Sequence, residues 1–179
     1  MSKTSNMPPR PSLASLQAHA YWLGLLVLAS GLQIFEASMP SLGPWFKLGL
    51  ANIITLIALA SLGPKAACTL AIGRVIIGSF FMGTIFTPTF IISLSATLAA
   101  ISVMLLAWYL IPRISLIGIS LLAALTHMCM QFFVVEHLFI QQSALYYLLP
   151  PLLVLSCATG WLNGALAEYI TTQLKARNR

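Results

Sequence analysis

The fold class this sequence predicts is all-α, a polytopic membrane domain of six helices, and three observations predict it. Only 7% of the 179 residues are charged, while 59% are hydrophobic. A soluble domain carries roughly 25% charged residues, so this chain cannot cover a water-facing surface and must be covered by lipid. Apolar stretches recur along nearly the whole chain, and one bilayer crossing takes roughly 20 residues. Lysine and arginine recur at every second boundary between these stretches, as orientation in a membrane requires. Six spans with short loops use the available length, which leaves no room for a second, soluble domain.

The elements follow in order. Residues 1–18 are polar and proline-bearing, with Lys3 and Arg10 as their only charges, and read as a disordered cytoplasmic tail. The first helix is expected from about Ala20 to Phe35; further spans follow directly, so it is retained rather than cleaved as a signal peptide. Glu36 and the turn-rich Ser38 to Pro44 close it. The second runs from about Trp45 to Leu62 and stops at Gly63-Pro64. Short and bracketed by Pro44 and Pro64, it is open to a re-entrant reading. The third runs from Lys65 to about Met82, and a linker, Gly83 to Pro88, leads to the fourth, Phe90 to Ile111. Pro112-Arg113 separates that helix from the fifth, Ile114 to Val135, which ends at Glu136-His137. After a weakly apolar stretch with Gln141 and Gln142, the sixth is expected from Tyr146 to Ile170. Pro150 and Pro151 fall in its first turns, where missing amide hydrogens cost least. The membrane domain thus spans 19–171, and residues 172–179 form a basic tail.

Six spans put Lys3, Arg10, Lys65, Arg113, Lys175, Arg177 and Arg179 on one side. The other side has Lys47 near its edge, with Glu36 and Glu136. The positive-inside rule then places both termini in the cytoplasm of a cell with a bacterial-type inner membrane. The net charge of +6 serves this orientation; scattered one or two per loop, the basic residues form no nucleic-acid surface. Trp22, Trp45, Trp108 and Trp161 read as an aromatic belt near helix ends. Cys68, Cys129 and Cys157 are isolated in apolar segments without metal-ligand spacing and read as small core residues.

Polar side chains at membrane depth are the candidate functional residues. Arg74 lies nine positions past Lys65, about 13 Å along a helix, where an unpaired guanidinium is costly. It is expected to bond helix-end carbonyls of the Thr84 to Pro88 linker, to meet an anionic ligand in a cavity, or to reach a partner or the surface. Gly73, Gly78 and Gly83 on the same segment admit close helix contacts. His127 and Gln131, four apart, share one face of the fifth helix, and bond either another helix or a ligand. Asn52 either caps a helix that begins inside the membrane or faces a pocket. Thr87 and Thr89, with Ser93 and Ser95 beyond them, cap a helix or bind a polar ligand group. Glu36 and Lys47 mark the membrane surface or the mouth of a cavity. Ala20 and Gly24, four apart, form a flat patch for a partner or for internal packing.

The chain contains no aspartate, and its three carboxylates, Glu36, Glu136 and Glu168, stand far apart near segment ends. Aspartate-rich magnesium–diphosphate sites are therefore excluded, and the sequence also shows no P-loop, no Rossmann glycine pattern followed by an acidic residue and no GxSxG elbow. A mid-membrane carboxylate for ion coupling is not in evidence either. The expectation is a non-enzymatic protein with no cofactor or metal.

Several blocks together resemble one family. They are Lys47-Leu48-Gly49-Leu50-Ala51-Asn52-Ile53-Ile54-Thr55-Leu56, Arg74-Val75 with Gly78-Ser79 and Gly83-Thr84, then Thr87-Pro88-Thr89-Phe90 and Ser93-Leu94-Ser95. In order and spacing they resemble the Gx transporter family, also labelled heptaprenyl diphosphate synthase component I. The resemblance implies a fold similar to the substrate-binding component of energy-coupling-factor vitamin transporters. It implies a ligand site drawn from Asn52, Arg74, Thr87, Thr89, His127 and Gln131, for a vitamin or an isoprenoid-like compound, and dependence on membrane or periplasmic partner subunits. Two departures stand out: Ala96 where glycine is expected, and Met128 and Met130 where small or polar residues are expected. Both suggest a narrower or more apolar pocket. A second class is a membrane anchor or quinone-proximal subunit of a flavin-linked electron-transfer complex; it predicts an interior packed solid around Arg74.

Overall fold

In a computed structural model, residues 13–38, 49–141 and 143–177 are described, and every regular element among them is helical. The elements are α1 (Leu13–Ser38), α2 (Leu50–Leu62), α3 (Pro64–Phe81), α4 (Pro88–Leu110), α5 (Leu116–Val135) and α6 (Leu149–Arg177). A π-helical turn (Glu136–Ile140) and a 3-10 turn (Ser143–Leu148) join α5 to α6. Five helices are long and apolar enough to cross a membrane. The sixth, α2, has 13 residues and spans about 20 Å at ~1.5 Å per residue, less than the ~30 Å hydrocarbon core. The chain is an all-α, multi-pass membrane protein with one short helix.

Local chemistry sets the helix ends. Gly63 (φ 91°) returns its amide to Ala58 and Leu59, and Pro64 then opens α3 at a position that needs no amide hydrogen. Pro88 opens α4 in the same way. Ser115 caps α5 by accepting from the Gly118 amide at 3.1 Å.

Three boundaries differ from the sequence reading. Helix α1 begins at Leu13, inside the segment 1–18 expected as a tail. Beyond Pro11 the residues Leu13 to His19 hold no helix breaker, so the helix continues past the apolar run. Helix α6 continues to Arg177, through most of the expected tail 172–179. Lys175 and Arg177 in its last turn complement the negative end of the helix dipole. Helix α2 begins only at Leu50; Trp45, Lys47 and the rest of the first outer loop lie outside the described residues, as do Lys3 and Arg10.

Helices α1 and α3 run parallel, with the antiparallel α2 packed against both. The Trp22 indole donates to the Ala66 carbonyl at 3.2 Å, Leu26 covers Gly73 and Gln33 covers Gly78. Helices α5 and α6 are antiparallel and pack closely, Gly160 against Leu121 and Ala124, Gly164 against Ile117 and Ser120. Ala60, Trp108, Ile114, Glu168, Thr171 and Lys175 line one shallow groove. That groove gathers the ends of α2, α4 and α6 with the start of α5, so Arg113 and Lys175 share an end of the bundle with Lys65.

The core is formed by residues such as Leu56, Leu59, Leu70, Met104 and Ile119. The outer surface is apolar as well: Val27, Phe80, Phe81, Leu106 and Val154 are all exposed. In water this would be an aggregating patch; in lipid it is the required surface. Two sequence readings need correction here. Cys129 is exposed, and Cys68 and Cys157 are half-buried rather than core residues. Trp161 stands mid-helix on the exposed face of α6 rather than at an end, and Trp22 joins two helices.

Candidate functional site

The first turn of α2 is held by side chains of α1 and α6. Gly49 (φ 73°) turns the chain into it in the left-handed region, and a Cβ there would stand 3.0 Å from Asn163 Nδ2. Asn163 donates to the Gly49 carbonyl at 3.3 Å. The Leu50 amide donates to Glu36 Oε1 at 2.7 Å, which places a carboxylate at the positive end of the helix. Glu36 on α1 and Asn163 on α6 thus hold the start of α2 from two sides. The N-cap position is Gly49 and has no side-chain cap, so Asn52 is not the cap; only its amide takes part, bonding Gly49 O at 2.8 Å.

Beside this helix start lies a cavity of about 120 Å³. Helix α1 contributes Gln33 and Glu36, α2 Asn52 and Thr55, and α3 Ala71, Arg74 and Val75. Helix α4 contributes Ser93, Thr97, Ala100, Ile101 and Met104, and α5 contributes Ala123, Ala124, His127, Met128 and Gln131. Ser156, Thr159 and Asn163 of α6 complete it. The lining is a polar ring on a thin apolar wall of alanine, valine, isoleucine and methionine. Its residues come from the middle turns of α3, α4, α5 and α6 and from the ends of α1 and α2 that meet there.

Arg74 occupies the wall between α1 and α3. Its Nη1 donates to Gln33 Oε1 at 3.0 Å, and its Nε is buried without a hydrogen-bond partner among the described residues. The expected bond to the Thr84–Pro88 linker is not formed. Thr84 lies ten residues further along the chain, about 15 Å on a helix, and the linker satisfies itself: Thr87 Oγ1 donates to Thr84 O at 2.6 Å and Thr84 Oγ1 to Ser79 O at 3.4 Å.

Four of the six candidate residues, Asn52, Arg74, His127 and Gln131, therefore line one cavity. Thr87 and Thr89 do not: Thr87 is the N-cap position of α4, and Thr89 is exposed on its first turn. Met128, a departure noted in the sequence, belongs to the apolar wall. Gln33, Thr55, Thr97, Ser156, Thr159 and Asn163 were not recognised from sequence. Asn163 carried a readable signal, an amide between Gly160 and Gly164 in mid-span, of the same kind that marked Asn52. The hydroxyl residues carried none. Serine and threonine often bond their own helix, as Thr55 does to Ala51 O and Thr159 to Leu155 O.

The family model described as heptaprenyl diphosphate synthase component I matches residues 25–170 of the chain. No curated protein and no solved structure matches it.

Proposed function

Since the chain belongs to the heptaprenyl diphosphate synthase component I family, we propose that it is the membrane component that captures a small organic molecule for partner subunits, without catalysing a reaction itself. The observation that carries this reading is the cavity beside the start of α2. It combines Arg74, Asn52, His127, Gln131 and Asn163 with an apolar wall, the usual composition of a small-molecule site. A water-sized occupant needs roughly 10–15 Å³ on this scale, so 120 Å³ admits on the order of ten non-hydrogen atoms. A chain of seven isoprenoid units does not fit. The absence of aspartate further argues against prenyl transfer in this chain.

The word "component" in the family's description supports partner subunits. The Ala20–Gly24 patch is exposed, and no described residue approaches Gly24, so it is available to such a partner. The fold that the sequence resemblance implies, similar to the substrate-binding components of energy-coupling-factor transporters, would fit a capture role. The alternative of an electron-transfer anchor predicts a solid interior at Arg74, and the cavity there supports capture instead.

Protein purified from native membranes in mild detergent is expected to release a bound small molecule on denaturation, detected by mass spectrometry. In liposomes without partners it is expected to bind that molecule and drive no uptake. A clean protein that binds nothing would sink the capture reading; uptake by the isolated chain would sink the dependence on partners.

The gathering of Lys65, Arg113 and Lys175 at one end supports a cytoplasmic location for that end, in a bacterial-type inner membrane. In a background without native cysteines, Lys65→Cys is expected to resist an impermeant thiol reagent added outside. Labelling there would reverse the orientation.

A further inference from the structure

We infer that the captured molecule is a small organic monocarboxylate, held by the Arg74 guanidinium, whose Nε has no hydrogen-bond partner among the described residues. This rests on the capture reading above and goes further by naming the ligand's chemistry. A guanidinium has five donors in a planar fork. Gln33 accepts from Nη1 at 3.0 Å, whereas Nε is buried with no acceptor among the described residues. A buried donor left in that state calls for an occupant. The Nε side of the fork is one of the edges that takes a carboxylate through two parallel hydrogen bonds. Gln33 fixes the opposite side and so orients the fork.

Charge selects among anions. The lining holds one guanidinium, Arg74, and one carboxylate, Glu36. Glu36 divides its charge between the Leu50 amide at the positive end of α2 and the Arg74 guanidinium, so the lining has room for about one further negative charge at most. A monocarboxylate meets that requirement. A phosphate or diphosphate brings two or more negative charges to a site with one cation and a nearby Glu36. It would need magnesium held by carboxylates, and the described residues hold no cluster of metal-ligating side chains. The rest of the lining suits the ligand's body: Val75 and Met104 offer apolar contact, while His127 and Gln131 offer hydrogen bonds.

The test compares para-hydroxybenzoate with para-hydroxybenzamide, two molecules of nearly equal shape and about ten non-hydrogen atoms that differ in one charge. Calorimetric titration of the purified full-length protein in nanodiscs is expected to show the acid binding at least tenfold more tightly than the amide. Arg74→Gln is expected to abolish that preference, and Arg74→Lys to keep part of it, because charge remains and the fork is lost. Circular dichroism checks that each variant is folded; if Arg74→Gln is not, the wild-type comparison and Arg74→Lys still decide. Equal binding of acid and amide, or an unchanged preference in Arg74→Gln, overturns the carboxylate assignment and leaves capture standing. So does a native ligand that proves neutral or a phosphate ester. If neither probe binds and the native protein carries no small molecule, both readings fall.

Discussion

Gly164→Leu is expected to be the most damaging single substitution in the membrane domain. A Cβ at position 164 would stand 2.6 Å from Ile117 Cα and 3.0 Å from Ser120 Cβ. The first obstacle is backbone, which cannot rotate away, so α5 and α6 must separate. Without a hydrophobic drive between helices in lipid, association depends on such close packing, and separation forfeits it along the whole seam. The start of α2 would loosen as well, since neighbouring Asn163 holds Gly49. Overpacking a well-fitted interior costs about 1–3 kcal/mol, and on the scale of soluble domains this size ~3 kcal/mol lowers a melting temperature by about 6–12 °C. Gly24→Leu provides the comparison, because among the described residues nothing lies within 4 Å of a Cβ at that exposed site. Melting in detergent should drop sharply for the first variant and hardly for the second. Equal melting of Gly164→Leu and wild type would show that the α5–α6 seam is not close-packed.

Glu36→Ala should produce the second large effect, and Glu36→Gln a much smaller one. Glu36 accepts from the Leu50 amide at 2.7 Å in a half-buried position. Removing the acceptor leaves a half-buried amide without its partner, at up to about 1–3 kcal/mol, and removes a favourable charge at a helix N-terminus, worth up to ~2 kcal/mol in partly buried geometry. Glutamine keeps an acceptor and loses only the charge. Glu36 and Arg74 also interact electrostatically, so neutralising Glu36 alone leaves Arg74 less compensated. The double variant Glu36→Gln/Arg74→Gln should therefore melt higher than the sum of the single effects predicts. Strict additivity would mean the two charges do not act on one another, and a wild-type melting temperature for Glu36→Ala would mean that the α2 amide needs no cap.

The role of Glu36 also shows where sequence reasoning stops. From the sequence it is a charge at the end of an apolar segment, a position that fits a surface marker as well as a cavity mouth. The choice depends on α2 beginning only at Leu50, and that start is set by Gly49 in the left-handed region together with contacts from α1 and α6. No local pattern reports contacts between residues as distant as Gly49 and Asn163.

What the sequence determined by itself are quantities that add up along the chain. Charge depletion and apolar length dictate helices in lipid, because only internally bonded helices and closed barrels satisfy their backbones there and apolar runs this long form helices. Gly63-Pro64, Thr87-Pro88 and Ser115 place helix ends through conformations those residues favour wherever they stand. Arg74 is singled out by depth alone, as a cation too costly to face lipid. The tertiary structure decided which polar groups meet. It assigned Gln33 rather than the Thr84–Pro88 linker to Arg74, joined Asn52, His127 and Gln131 in one cavity, and left Thr87 and Thr89 outside it. Those outcomes follow from how closely helices approach, as at Gly160 and Gly164, and from the angle at which each face turns inward. Side-chain packing between distant segments fixes both, and the order of residues along one segment does not record it.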